Sequence, residues 1–319
     1  MNKWLKRIGY SLLVLFLLLN VMSIFQAYKL SHFYADAPKL KKPEEMGAVE
    51  KLSSIFFGVR YPKSKVEDSL LVPHETISFK TEDSLKLEGW YLDSQNDDTI
   101  KPHIGTVIMF HGHGSSRSGV IKEAEAFYEM GWNVLMIDFR AHGNSEGSLS
   151  TVGYQEAKDV KAAYGYIQSR KEKNIVLWGI SLGASTILKA MNDYGLKPSK
   201  IILEMPFGSL LNAGEGRLRI MHLPAEPLSA LLVFWGSVEQ GYWAFGNKPW
   251  DYASKVNCPV LLQWGINDQR VTEEETMHIF KNLASHQKIL IKYVHCGHES
   301  LYKKETVKWD KTVGDFLQQ

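Results

Sequence analysis

Short apolar runs alternate with amphipathic stretches over most of this chain. Apolar runs bounded by polar or turn residues predict buried strands at residues 104–110, 133–137, 175–178, 201–203, 260–264 and 289–294. Apolar residues at helical spacing predict helices at residues 117–130, 152–170, 182–194, 272–283 and 306–317. Strands that alternate with helices are typical of βαβ units, so we expect a mostly parallel central sheet with helices on both faces.

Two alternating segments, residues 74–80 and 85–92, precede this pattern. The turn-like residues 81–84 separate them and predict an antiparallel N-terminal hairpin at one edge of the sheet, followed by a polar loop at residues 95–102. Later in the chain, residues 207–256 form a connection far longer than a usual crossover. Its aromatic residues are Phe234, Trp235, Tyr242, Trp243, Phe245, Trp250 and Tyr252. Such an insert usually covers a functional site, so we predict a cap there.

The N-terminal residues have the pattern of a membrane anchor. Residues 8–27 carry no charge, and about 20 apolar residues suit one helical crossing. Lys3, Lys6 and Arg7 precede the run, which predicts an uncleaved signal anchor over residues 1–35. One alternative is a cleaved signal peptide with an A-x-A site at residues 35–37, but this site lies far from the apolar run and directly before a proline. The other is a buried helix of a soluble protein, which would have to be apolar on all sides.

The charges around the apolar run predict a single-pass orientation. The clustered basic residues before it favour a cytoplasmic N-terminus, although Lys29, Lys39, Lys41 and Lys42 follow it. We therefore expect the bulk of the chain on the non-cytoplasmic side. Residues 36–73 are rich in Lys, Pro and Glu and predict a linker, which leaves residues 74–319 as the folded domain.

Composition narrows the function classes. The 319 residues are 45% hydrophobic and 23% charged, which is typical of a globular protein. The 37 Lys and Arg residues nearly balance the 35 Asp and Glu residues, so no basic excess indicates a nucleic-acid partner. Cys258 and Cys296 lie at opposite ends of two neighbouring predicted strands, too far apart for a disulfide, and we predict two free thiols.

Two segments match the G-x-S-x-G pattern of a serine nucleophile, residues 143–147 and 179–183. The pattern needs a strand running into it and a helix leaving it. Ser181 has both, whereas Ser145 follows a polar stretch with no helix directly after it. We predict Ser181 as the nucleophile and Ser145 as a residue of a surface turn.

A serine hydroxyl needs a base, and the base needs an acid to orient it. Asp268 follows the strand at residues 260–264 and is the preferred acid; as an alternative it could cap the helix near Thr272, and Asp251 and Glu204 are weaker candidates. His298 follows the last strand and is the preferred base over His295. This order of Ser, acid and His is typical of one hydrolase fold.

When a serine attacks a carbonyl group, negative charge develops on the carbonyl oxygen and needs backbone N–H donors. We assign one donor to Leu182, directly after the nucleophile, and the other to His113 in the glycine-containing loop at residues 111–114. The two histidines of this loop could instead suggest a metal site, but no third ligand stands at a recognisable spacing, and we predict no metal.

Motifs in this order resemble the α/β-hydrolase superfamily. The matching segments are FHGHG at residues 110–114, DFRAHGNSEG at 138–147, GISLG at 179–183, GIND at 265–268 and GH at 297–298. The chain most resembles membrane-anchored BEM46-like and serine aminopeptidase or monoacylglycerol-lipase-like members. The resemblance implies an α/β-hydrolase fold, a triad of Ser181, Asp268 and His298, and an oxyanion hole at His113 and Leu182. Ala141 and His142 depart from the Gly and aromatic residue that relatives often have.

The leading interpretation is a membrane-bound serine hydrolase of the carboxylesterase or lipase type. It would cleave a small-molecule or lipid ester, or a thioester, with an apolar acyl group suggested by the aromatic cap and the anchor; those aromatics could equally be the cap's own core. A peptidase or amidase remains an alternative, as does a non-catalytic, membrane-tethered binding protein on a hydrolase scaffold. The triad generates its own nucleophile, so we expect no cofactor.

Overall fold

The computed structural model describes residues 3–38, 40, 46–67, 69–94 and 103–319. The strands are β1 (Phe33–Tyr34), β2 (Tyr61–Pro62), β3 (Glu75–Lys80), β4 (Lys86–Leu92), β5 (Thr106–Phe110), β6 (Asn133–Ile137), β7 (Ile175–Ile180), β8 (Lys200–Glu204), β9 (Val260–Gly265) and β10 (Lys288–Tyr293). The helices are α1 (Lys3–Ser31), α2 (Ala48–Phe57), α3 (Ile121–Glu129), α4 (Ala157–Ser169), α5 (Leu182–Tyr194), α6 (Leu210–Ile220), α7 (Leu228–Gln240), α8 (Pro249–Tyr252), α9 (Glu273–Asn282), α10 (Leu301–Lys304) and α11 (Thr306–Gln318).

The core is an eight-stranded sheet in the order β10-β9-β8-β7-β5-β6-β4-β3. Strands β5 to β10 pair in parallel, while β4 is antiparallel to both of its neighbours. The mostly parallel sheet and the antiparallel hairpin at its edge are therefore confirmed. Strands β5 and β6 are buried at every position, and β7 at all but its last, because helices cover both faces.

Helices α3 and α11 pack together on one face of the sheet, with the ring of Phe127 5.3 Å from that of Trp309. Helices α4, α5 and α8 contact one another in succession on the other face. Helix α4 begins at Ala157, later than predicted, because Val152 and Gly153 have φ values of 50° and 97°. Backbone in that left-handed region cannot continue a right-handed helix.

The long insert lies between β8 and β9, as the sequence predicts. It contributes α6 and α7, which pack against each other, and then α8. Trp250 stacks on His278 of α9, so this aromatic residue joins the insert to the sheet domain. The insert thus forms a helical cap above the carboxyl ends of the strands, where sites of α/β folds are found.

Helix α1 is the one helix among the described residues that is long and apolar enough to cross a membrane. Residues 3–18 are exposed along all sides of the helix. Its second half packs against the cap helix α7, where Ser23, Ala27 and Ser31 are buried and Trp235 donates a hydrogen bond to Asn20. The predicted anchor is therefore also part of the folded domain's surface.

The segment predicted as a linker is more ordered than expected. It contains α2, which packs on the end of α1, and β2, which pairs in parallel with β1. Its backbone and side chains also bind the sheet domain, with Glu67 N–H donating to Ser118 Oγ and Ser116 Oγ donating to the Lys65 carbonyl. Interactions between distant segments leave no local periodicity, which is why the sequence predicted a linker.

Three other predictions concern positions outside or beside these elements. The predicted loop at residues 95–102 lies outside the described residues, as do three of the lysines used to predict orientation, Lys39, Lys41 and Lys42. Cys258 and Cys296 are free, as predicted. Desolvation raises the pKa of each thiol to about 12, so neither is a reactive thiolate at neutral pH.

Candidate active site

Ser181 stands on a sharp turn between β7 and α5. Its backbone has φ 54° and ψ −112°, a strained conformation for a non-glycine residue. Gly183 makes the turn possible, because a Cβ there would lie 2.1 Å from the carbonyl oxygen of Phe110. Gly179 is equally constrained, since its Cβ would lie 2.6 Å from the carbonyl carbon of Gly183. The strand-turn-helix context that favoured Ser181 is therefore present.

The structure brings Ser181, His298 and Asp268 together. His298 Nε2 lies 2.9 Å from Ser181 Oγ, and His298 Nδ1 lies 2.7 Å from Asp268 Oδ2. The side chain of Asp268 is fully buried, and that of His298 is 14% exposed. This chain of hydrogen bonds can take a proton from a serine hydroxyl and orient the accepting imidazole.

Two backbone groups fix the carboxylate of Asp268. Its Oδ1 accepts hydrogen bonds from the N–H groups of Arg270 and Val271, at 2.7 Å and 2.9 Å. Helix α9 is capped by Thr272, whose side chain accepts from Glu275 N–H. The alternative that Asp268 caps this helix is therefore wrong, and its second oxygen is free to face His298.

The weaker candidates lie elsewhere. Glu204 accepts hydrogen bonds from the indoles of Trp178 and Trp309, and desolvation raises its pKa to about 8. Asp251 is exposed in α8. His295 is also exposed, and its backbone N–H donates to Glu305. Among the described residues, none of these three side chains is hydrogen-bonded to the side chain of His298 or Ser181; the backbone carbonyl of Glu204 accepts from the N–H of Ser181 at 2.8 Å.

The assigned oxyanion donors lie beside Ser181. His113 and Leu182 line the same cavity as Ser181. Within the described parts of the chain, the backbone N–H groups of His113 and Leu182 donate to no backbone carbonyl. Unused N–H groups next to Ser181 are what an oxyanion formed at that position would require.

Two buried histidines hold this loop, a role that the sequence did not suggest. His142 Nε2 accepts a hydrogen bond from Gly114 N–H, and its Nδ1 lies 2.9 Å from the carbonyl of Arg140. His111 Nε2 accepts from Phe139 N–H. Desolvation lowers the pKa of His142 to about 3 and that of His111 to about 4, so both rings are neutral at pH 7. His142, which departs from the residue that relatives often have there, therefore supports the loop next to Ser181.

Ser145, the second G-x-S-x-G serine, is not the surface residue that we expected. It is fully buried, donates to the carbonyl of Asp138 and accepts from the N–H of Glu88. These bonds tie the turn after β6 to strand β4. The local sequence is polar, so burial against strand β4 could not be predicted from it.

A cavity of about 180 Å³ opens at Ser181 and His298. One wall comes from the cap and includes Leu210, Leu232 and Val233. Of the seven aromatic residues predicted in the cap, all of them described by the structure, Tyr242 alone lines the cavity. Another wall comes from α1, through Ala27, Leu30 and Ser31. The apolar lining is thus mostly aliphatic, and sequence reasoning missed the contribution of α1.

No group of three or more His, Cys, Asp or Glu side chains in the described ranges is arranged to hold a metal ion. His111 and His142, whose ring centroids are 5.2 Å apart, use ring nitrogens for hydrogen bonds to the backbone instead.

Comparison with known proteins bears on this arrangement. A family model described as serine aminopeptidase, S33, matches residues 101–231, which include His113 and Ser181. The uncharacterized protein YqkD of Bacillus subtilis is 26% identical over 224 residues, covering 68% of this chain and 73% of that protein. An uncharacterized membrane protein of Saccharomyces cerevisiae, YNL320W, is 28% identical over 145 residues, covering 45% of this chain and 49% of that protein.

Solved structures show the same architecture. The esterase Pf2001 of Pyrococcus furiosus superposes with a TM-score of 0.66 and is 25% identical, covering 80% of this chain and 96% of that one. The predicted α/β-hydrolase fold is therefore confirmed, and so is the resemblance to the serine aminopeptidase group.

Proposed function

We propose that this chain, which has the α/β-hydrolase fold, is a serine hydrolase that cleaves carboxylic esters. The observation that carries the proposal is the pair of distances at His298, 2.9 Å to Ser181 Oγ and 2.7 Å to Asp268 Oδ2. The esterase Pf2001 and the family match support hydrolase chemistry on this fold.

The reaction would pass through an acyl-enzyme. Ser181 Oγ attacks the ester carbonyl carbon as its proton moves to His298 Nε2, and the oxyanion accepts hydrogen bonds from the N–H groups of His113 and Leu182. When the tetrahedral intermediate collapses, the bond to the alcohol oxygen breaks, and the alcohol leaves with the proton from His298. Water, deprotonated by the same nitrogen, then attacks the acyl group, and the carboxylic acid departs.

The buried carboxylate of Asp268 would orient His298 and stabilise its protonated form. The carboxylate holds Nδ1 of His298 protonated, so Nε2 carries the lone pair that serine needs. As the imidazolium forms, the buried negative charge stabilises it. Because its own Oδ1 is fixed by two N–H groups, Asp268 needs no rearrangement during the reaction.

The substrate would carry an apolar acyl group. The aliphatic side chains of Leu210, Leu232 and Val233 and the α1 residues Ala27 and Leu30 line the cavity. Burial of each CH₂ against such a wall contributes about 0.8 kcal/mol, which favours longer acyl chains. Equal hydrolysis of acetyl and decanoyl p-nitrophenyl esters would exclude this part of the proposal.

Helix α1 would anchor the enzyme as a single membrane-spanning segment. The basic residues before it favour a cytoplasmic N-terminus, with the catalytic domain outside. Protease added to intact spheroplasts is expected to digest the domain. If the domain is digested only after the cells are lysed, the orientation is the opposite of the one proposed.

A peptidase or amidase is the second candidate, because the matching family model is described as a serine aminopeptidase. The same nucleophile and base can serve amide cleavage. Efficient release of p-nitroaniline from aminoacyl anilides, without ester hydrolysis, would favour it.

A fluorophosphonate probe tests the nucleophile directly. We expect full-length protein in detergent micelles to be labelled, and the label to be lost in Ser181→Ala but kept in Ser145→Ala. Thermal unfolding of each variant verifies that it is folded. Absence of labelling in the folded wild-type protein would contradict the proposal and favour a binding protein on a hydrolase scaffold.

A further inference from the structure

Two arginines line the cavity that contains Ser181 and His298. Arg217 projects from the cap helix α6, and Arg270 follows Asp268 in the loop after β9. The reaction proposed above uses neither guanidinium. They are therefore available for a part of the substrate other than the reacting carbonyl.

The packing of α6 brings the two arginines together. Gly216 lies against the loop so closely that a Cβ would be 2.2 Å from the carbonyl oxygen of Arg270. Arg219 donates a hydrogen bond to the carbonyl of Gln269 from the same helix. A cap helix is thus fixed to the loop that carries Asp268, with Arg217 next in sequence to the point of closest approach.

Arg217 is also held from its other side. Its Nη2 donates to the hydroxyl of Tyr61, and the guanidinium lies 5.5 Å from the centre of that ring. Tyr61 belongs to β2, in the segment between α1 and the sheet. An arginine fixed by a neutral tyrosine keeps its full positive charge and most of its N–H donors.

Neither positive charge is neutralised by an ion pair with a residue that the structure describes. Among the described residues, no carboxylate lies in salt-bridge contact with Arg217 or Arg270. Asp268 attracts Arg270 through space, but its oxygens already accept from His298 and two backbone N–H groups. Desolvation and, after it, the charge of Arg217 lower the pKa of Arg270, so the pair repel each other.

A bound anion would relieve this repulsion. Guanidinium groups present forked N–H donors that match the oxygens of a phosphate or a carboxylate. The remaining cavity wall is aliphatic, through Leu30, Leu210 and Leu232. A ligand that satisfies both parts has an apolar chain and an anionic group.

We propose that Arg217 and Arg270 form a subsite for an anionic group, a phosphate or carboxylate, on an ester whose acyl chain lies against the aliphatic wall. The inference rests on the proposed ester hydrolysis and specifies its substrate class as an anionic amphiphile. The two guanidinium groups would still repel each other in an empty site or beside a neutral ester of the same length. Both states would therefore be less favourable than the site with a bound anion.

The test compares two esters that differ in one group, monodecanoylglycerol and its phosphate monoester. The full-length protein in neutral detergent micelles is assayed for kcat/KM on each. We expect wild-type protein to prefer the phosphate monoester by about tenfold or more, as charge-assisted hydrogen bonds allow. In Arg217→Gln with Arg270→Gln the ratio should fall close to one, and Arg217→Lys should retain part of it.

A matched control and a free anion complete the design. Arg170→Gln removes one arginine from the end of α4, outside the cavity lining, and should leave the ratio at its wild-type value. Inorganic phosphate should inhibit wild-type hydrolysis of the neutral ester competitively and inhibit the double variant less. Hydrolysis of the phosphate monoester releases glycerol phosphate. If inorganic phosphate inhibits as strongly as this product, the subsite would be assigned to a soluble phosphate ester instead of a lipid headgroup.

Two results would overturn the inference. One is a wild-type ratio near one, and the other is a ratio that the double variant leaves unchanged. Failure of the underlying ester hydrolysis is distinguishable, because then neither ester is cleaved and the fluorophosphonate probe does not label Ser181.

Discussion

Replacement of Asp268 by Asn tests whether this carboxylate orients His298. Asp268 Oδ1 accepts two backbone N–H groups, and Oδ2 faces His298 Nδ1. An amide has a single acceptor oxygen, and the two N–H groups will hold it. The amide NH₂ then faces His298, so Nδ1 must accept and the ring proton moves to Nε2. That tautomer cannot take the proton of Ser181.

The size of the effect follows from these contacts. Turning the amide to the productive orientation sacrifices two neutral hydrogen bonds, about 2–3 kcal/mol in total. Loss of the charge-assisted hydrogen bond to the developing imidazolium adds about 1.5–3 kcal/mol. At 1.36 kcal/mol per factor of ten, the two effects together predict a loss in kcat of about 10³ to 10⁴.

The assay is hydrolysis of p-nitrophenyl decanoate by full-length protein in detergent micelles. Asp251→Asn is the matched control, because Asp251 is exposed in α8 and should tolerate the change. Thermal unfolding verifies that both variants are folded. A loss smaller than about tenfold in a folded Asp268→Asn protein would refute the orientation argument, because at 1.36 kcal/mol per factor of ten it implies less than half of the expected energy.

Three further predictions follow from the site. Because burial lowers the pKa of His111 and of His142, their contribution to stability is fully present above the unfolded pKa of about 6.5 and is lost as the pH falls. At pH 5 each histidine lowers the free energy of unfolding by about 2 kcal/mol. In urea unfolding, the free energy of unfolding of His142→Gln should therefore fall by about 2 kcal/mol less than that of the wild type between pH 7 and pH 5. Gly183→Ala should lower unfolding free energy by about 1–3 kcal/mol and reduce labelling, because its Cβ meets the carbonyl of Phe110; Gly165→Ala, where a Cβ meets nothing within 4 Å, is the control. Leu30→Trp should lower kcat/KM for decanoyl esters more than for acetyl esters by filling the cavity, and Leu18→Trp on the exposed half of α1 should not; equal effects would contradict the α1 wall.

That Ser181, Asp268 and His298 lie close together could be predicted from the sequence, because in this fold they follow the ends of strands. Ser181, Asp268 and His298 each follow a parallel strand, and parallel strands end at the same edge of a sheet. Apolar runs identify such strands without tertiary information. The same logic placed the predicted oxyanion loop after β5 and the cap between β8 and β9.

The sequence could not predict contacts between distant segments. The apolar run of α1 reads the same whether its side chains face lipid or the cap helix α7. His142 supports the loop at Gly114 through a hydrogen bond across 28 residues, which leaves no spacing signal. Arg217 and Arg270 approach each other because Gly216 permits close packing, and a single glycine in a helix rarely indicates this.

The position of α1 sets how the enzyme would meet its substrate. Leu30 lies three residues after the apolar run ends at Ala27, about 4.5 Å along a helix axis. With α1 in the membrane as proposed, the cavity would be held at a constant height, near the level of lipid headgroups. A ten-carbon acyl chain drawn fully into water would cost about 8 kcal/mol at 0.8 kcal/mol per CH₂, and lateral entry avoids that barrier. Encounter rates would then depend on the surface density of the ester within the leaflet, so diluting the membrane with inert lipid would slow turnover even when the total amount of substrate is unchanged.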